Sequence, residues 1–126
     1  MAMLAEDFSD EPEPSGADDA ARSLRAGRRV TDIKPDTVCD GLRAIVSERT
    51  FIGLREHTDG VINVHDRDTI AAMELAWREL KLTIEPSSAV ALAAVLQRPE
   101  EFRSQRVGVI LSGGNVDLAH LPWLNA

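Results

Sequence analysis

Residues 106–117 constrain this chain most: Arg-Val-Gly-Val-Ile-Leu-Ser-Gly-Gly-Asn-Val-Asp. The run opens on β-branched and aliphatic residues, which predicts a buried strand of the parallel type. It stops on Ser112, Gly113, Gly114 and Asn115. In an α/β sheet, ligands bind just outside the carboxyl ends of the strands. Glycines there let the backbone come close to a ligand, and Ser112 offers a donor and an acceptor at the strand tip. A tight turn with no ligand reads equally well from this segment alone.

The rest of the chain bounds what such a strand can belong to. With 126 residues it supports one modest domain. Fourteen Lys and Arg against 21 Asp and Glu give a net charge of −7. That leaves no basic excess for phosphates and argues against a nucleic-acid binder. A single cysteine, Cys39, excludes an internal disulfide and suits a reducing compartment. The lack of a long apolar stretch or of a secretory pattern at the start predicts no membrane partner and a cytoplasmic location.

Taken in order, residues 1–12 are acidic and broken by proline, so they are expected to be disordered, with the domain proper at 13–126. Asp18 and Asp19 predict a helix start and Gly27 its end. Residues 28–41 read as a connector with a short extended piece at Val30 and Ile33, closing on an Asp40-Gly41 turn. A helix is expected from about Ser47, with Phe51, Ile52 and Leu54 on one side. Residues 61–64 read as a strand. Asp66 or Asp68 should cap a helix over 69–80, with Ile70, Met73, Trp77 and Leu80 facing the core. Pro86 ends an extended piece at 82–85 and starts a helix at about 88–97. That helix is apolar on nearly every side, which predicts burial and a need for cover beyond this chain. The tail to Trp123 reads as one helical turn and a strand-like end.

Three segments, in this order and spacing, resemble one family. Glu13-Pro14-Ser15-Gly16-Ala17-Asp18-Asp19, Glu85-Pro86-Ser87-Ser88-Ala89 and Ser112-Gly113-Gly114-Asn115-Val116-Asp117 are similar to the C-terminal part of serine racemases and serine/threonine dehydratases. The segments at 39–42 and 77–82 are similar too. These are pyridoxal-phosphate enzymes of fold type II. The resemblance implies an α/β fold: part of a doubly wound sheet with flanking helices, from the large domain of such an enzyme. It implies that Ser112 hydrogen-bonds the pyridine nitrogen of pyridoxal 5'-phosphate, that Gly113 and Gly114 give the ring room, and that Glu85 lines the pocket. A hydroxyl at the ring nitrogen does not hold a proton there, which suits β-elimination and racemisation better than transamination. The resemblance also implies a Mg²⁺ or Ca²⁺ site from Glu13, the Ala17 carbonyl and Asp19, all oxygen donors. An acidic helix start without an ion fits the same residues. Lys81 and Asn115 match positions that contact a nucleotide effector in animal serine racemases. His57, His65 and His120 share no metal-ligand spacing.

The family's chemistry needs a lysine joined to the cofactor, from a Ser-x-Lys-x-Arg-Gly segment. The only lysines, Lys34 and Lys81, lie in no such context, and the Gly-rich phosphate cradle is not matched. The reading is therefore a C-terminal part of a dehydratase or racemase of small hydroxy amino acids, inactive by itself. The rivals are a non-catalytic cation- and nucleotide-binding module, and one half of a split enzyme with an N-terminal partner chain. A homodimer stays open, as does the choice among serine, threonine and hydroxyaspartate.

Overall fold

The computed structural model describes residues 3–4 and 9–124. The strands are β1 (Met3–Leu4), β2 (Ser9–Pro14), β3 (Gly60–Val64) and β4 (Gly108–Val109). The helices are α1 (Asp19–Ala26), α2 (Glu48–His57), α3 (Asp66–Leu75) and α4 (Pro86–Leu96). Among the described residues the sheet order is β3-β2-β1-β4, with β2 and β3 parallel and β1 antiparallel to both of its neighbours. A parallel pair needs a long crossover. Here it runs through α1 and α2, and Glu13 falls opposite Asn63.

Residues 9–12, expected within a disordered start, belong instead to β2, and Pro12, Glu13 and Pro14 are buried. Prolines two apart place both missing donors on one edge of a strand. Among the described residues, pairing with β1 covers Ser9 and Asp10 only. The readings placed on residues 5–8 lie outside the described residues.

Helix ends follow local chemistry. Gly27, in the left-handed region at φ 66°, closes α1. The Ser47 hydroxyl accepts the Thr50 N–H at 3.1 Å and caps α2. On α2 only Phe51 is buried, while Ile52 is 40% exposed. α3 starts earlier than its pattern predicted, at Asp66, because the Asp66 side chain bonds elsewhere and His65 takes the cap position. Its continuation Ala76–Leu80 is a π-helical turn ended by Lys81 at φ 58°. That extra residue per turn rotates the apolar stripe off the core. Trp77 and Leu80, expected inside, are 45% and 56% exposed, and Trp77 stacks on Trp123 with ring centroids 5.9 Å apart.

The core gathers Ile62 and Val64 of β3, Met73 of α3, Val90 and three alanines of α4, Cys39 and Phe102. α4 packs on β2, β3 and α3, so this chain itself supplies the cover that its apolar surface demanded. Neither 28–36 nor 82–85 forms a strand, and the tail ends in a short turn at Pro122–Leu124 rather than an extended segment. The largest departure is at 106–111. Among the described residues only Gly108 and Val109 pair, antiparallel and with β1. Val107, Val109 and Leu111 pack on the core while Ile110 is 55% exposed. This is the period of two of a one-sided strand, where a strand covered on both faces was expected.

Candidate functional site

The turn after β4 returns to the start of α4. The Glu85 N–H donates to the Gly113 carbonyl at 3.3 Å, and the Asn115 N–H donates to Glu85 Oε2 at 3.0 Å. Gly113 has φ 92°, and a Cβ on it would stand 2.5 Å from the Glu85 carboxyl carbon. Only glycine allows both that backbone and that neighbour. Gly114 lies against the Thr83 carbonyl. Three segments distant in sequence thus meet at Glu85: 112–115, the N-terminus of α4, and the Asp40–Leu42 turn, whose Gly41 N–H donates to Ser87 Oγ at 3.0 Å.

Ser112 is exposed beside this cluster. Lys81 Nζ donates to the Arg78 carbonyl, which turns its side chain back on the helix end. Lys34 is exposed. Gly41 and Ser87 carried no assigned role in the sequence reading. The Asp-Gly turn and the serine after Pro86 were the signals for them.

A second polar cluster lies at the end of β2. The Glu13 carboxylate, 8% exposed, faces the N-terminus of α1, with Oε1 accepting the Ala20 N–H at 2.9 Å and Oε2 the Ala21 N–H at 3.0 Å. It provides the capping that Asp18 was expected to give; the Asp18 side chain makes no cap bond. Asp19, 3% exposed, accepts the Val46 N–H at 2.5 Å, and Ala17 is fully buried. Burial pushes the Glu13 carboxyl up to about 7, against the pull of the Ala21 and Ala20 N–H groups, and Asp19 and Asp18 push the same way. A cavity of about 180 Å³ is lined by Glu13, Pro14, Asp19, Gly41 and Val46 among others, so it touches both this cluster and the turn that reaches Ser87. Among the described residues no group of three or more His, Cys, Asp or Glu side chains is arranged to hold a metal.

The Glu85 cluster brings together an exposed serine, a left-handed glycine and a carboxylate that occupies the space beside that glycine. Glu13 and Asp19 are oxygen donors of the type a hard cation takes, and in this structure both Glu13 oxygens and Asp19 Oδ2 accept backbone N–H groups instead.

The chain is similar to the β-hydroxyaspartate dehydratase of Paracoccus denitrificans, 46% identical over 111 residues, covering 88% of this chain and 35% of that protein. It is similar to the serine racemase of Dictyostelium discoideum, 46% identical over 115 residues, covering 86% and 35%. Among solved structures, maize serine racemase superposes with a TM-score of 0.81 at 41% identity, over 92% of this chain and 36% of that one. The chain thus spans about a third of the length of the relatives it matches. Residues 11–113 match the family described as pyridoxal-phosphate dependent enzyme, and the chain belongs to that family.

Proposed function

We propose that this chain forms the ring-nitrogen side of a pyridoxal-phosphate-dependent dehydratase or racemase of small hydroxy amino acids. The observation that carries the reading is the meeting of Gly113 and Asn115, in the turn that begins at Ser112, with Glu85 at the start of α4. Pyridoxal phosphate, when bound, supplies the electron sink for breaking a bond at the amino-acid Cα. The Ser112 hydroxyl would hydrogen-bond the pyridine nitrogen without leaving a proton on it. Gly113 and Gly114 would give the ring its space, and Glu85 would line the pocket, held by the Asn115 N–H. Glu13, the Ala17 carbonyl and Asp19 would hold Mg²⁺ or Ca²⁺ next to the 180 Å³ cavity. Lys81 and Asn115 are the residues for a nucleotide effector. A cytoplasmic location belongs to the same reading and rests on the one buried cysteine.

The test is to mix the full chain with pyridoxal phosphate and L-serine while following cofactor absorbance and pyruvate. Cofactor binding weakened by Ser112→Ala, without pyruvate, is expected. Turnover abolished by Ser112→Ala would overturn the claim that the chain alone is inactive, and absorbance indifferent to that change would overturn the site. Calorimetry with Mg²⁺, with and without Asp19→Ala, tests the cation site.

A second reading, one half of an enzyme that assembles with a partner chain, is favoured by the exposure of Ile110, Leu118 and Leu124, at 55%, 66% and 67%. Size-exclusion chromatography with light scattering on the chain alone distinguishes a homodimer from a monomer that awaits a partner.

A further inference from the structure

We infer that Thr37 and Asp66 are positioning residues that set where Gly41 stands against Ser87 and Glu85. The inference rests on the reading above only in taking that place as the cofactor site. An aspartate in the first turn of a helix ordinarily serves its own helix's N–H groups. Asp66 does not. Its Oδ1 accepts the Thr37 hydroxyl at 2.5 Å and its Oδ2 accepts the Val38 N–H at 2.8 Å, across 28 or more residues of sequence. Thr37 is 3% exposed, and its hydroxyl oxygen also accepts the Cys39 N–H at 3.2 Å.

Arg43 closes the loop, donating from Nε at 3.0 Å and Nη2 at 2.5 Å to the Thr37 carbonyl. Inside it, the Asp40 N–H bonds the Val38 carbonyl at 3.0 Å and the Leu42 N–H bonds the Cys39 carbonyl at 2.9 Å. Residues 37–43 therefore form one hydrogen-bonded unit hung on the start of α3. Charge-assisted bonds to a carboxylate are the strong ones in such a unit.

Gly41 is the tip of that unit. Its N–H is shared between Asp40 Oδ1 at 2.8 Å and Ser87 Oγ at 3.0 Å. A Cβ there would stand 2.9 Å from Ser87 Oγ and 4.0 Å from Glu85 Oε1. Gly41 thus approaches the start of α4 from one loop while Gly113 approaches Glu85 from another. Thr37 and Asp66 act on the site through Gly41, so moving the clamp moves Gly41 against Ser87 and Glu85 and leaves the sheet in place.

The experiment is residue-resolved amide exchange by NMR on the full chain, unaltered and as Thr37→Val, Thr37→Ser and Asp66→Asn. Thr37→Val and Asp66→Asn are expected to quicken exchange at Gly41 and Leu42 at least tenfold and to shift the Asn115 amide resonance. Ile62 and Val64 should stay unchanged, and Thr37→Ser should restore protection. Unchanged exchange at Gly41, or equal quickening at Ile62 and Val64, would overturn the inference; the latter would mean loss of stability alone. Pyridoxal phosphate added to the unaltered chain tests the cofactor reading separately. Silence at Gly41 and Gly113 in that titration sinks the cofactor reading, while the clamp is judged by exchange alone.

Discussion

Glu85 fills the space that a side chain on Gly113 would need: an added Cβ would lie 2.5–2.7 Å from its carboxyl carbon and both oxygens. The residue just before α4 and the glycine that follows the apolar run are therefore fitted to each other, 28 positions apart. Gly113→Ala meets two obstacles, a φ of 92° and this contact. The backbone obstacle is worth about 1–2 kcal/mol for an L residue. The contact is relieved by swinging Glu85 away, which breaks its bond to Asn115. Urea denaturation of Gly113→Ala should show a loss of about that size. Adding Glu85→Ala should not restore it, because the backbone term remains. Full recovery in the double variant would show that the contact, not the backbone, was the problem.

Glu13 makes stability depend on pH in an unusual direction. Its carboxyl titrates at about 7 when folded, against an ordinary 4.5. Between these values the folded chain keeps a proton that the unfolded chain has lost. The stability from that proton is fully present below about pH 4.5 and is lost as pH rises through about 7. The urea midpoint should fall over that window, and Glu13→Gln should flatten most of the slope. A midpoint that rises from pH 5 to 7, or a slope unchanged by Glu13→Gln, would refute the assignment.

Burial pushes the Cys39 thiol up to about 11 from an ordinary 9, and its side chain is fully enclosed. At neutral pH this leaves about 100-fold less thiolate than in a free cysteine. Alkylation by iodoacetamide at pH 8 should be slower than for a small thiol by at least that factor, and should recover the small-thiol rate in 6 M urea. Rapid alkylation of the folded chain would place Cys39 outside the core.

The two faces of the sheet should respond differently to substitution. Ile62→Ala, at a side chain 1% exposed, should lose about 2–5 kcal/mol. Ile110→Thr, at a side chain 55% exposed, should change stability by no more than about 0.5 kcal/mol in this chain. A large loss at Ile110 would restore the buried strand expected from the sequence.

Much of this was legible where the determinant is local. Gly27 and Ser47 end and begin their helices as their chemistry predicts, and Pro86 opens α4. The Ser-Gly-Gly turn and Glu85 were singled out from sequence, and they do meet. What could not be read depends on distant partners. The acidic, proline-broken segment at 9–14 becomes a strand because β3 lies alongside it. Trp77 leaves the core because a π-helical turn shifts the phase of its helix, which period counting does not see. Residues 106–111 looked fully buried because their composition is that of a strand with neighbours on both sides, whereas among the described residues β4 pairs with β1 alone. The kinship does not rest on the burial of Ser112, since the match runs from residue 11 to 113 and ordered segments carry it together.

α4 has proline in its first turn and no side-chain acceptor drawn from Glu85. Proline lacks one of the donors a helix start must satisfy, so the threshold of this helix is stable without help from the residue before it. The Glu85 side chain is thereby free of capping duty and serves the 113–115 turn instead. Exchanging its side chain should alter the fit to Gly113 and the hold on Asn115 while the helix behind it stays wound, which makes it the natural place to begin redesigning this corner of the molecule.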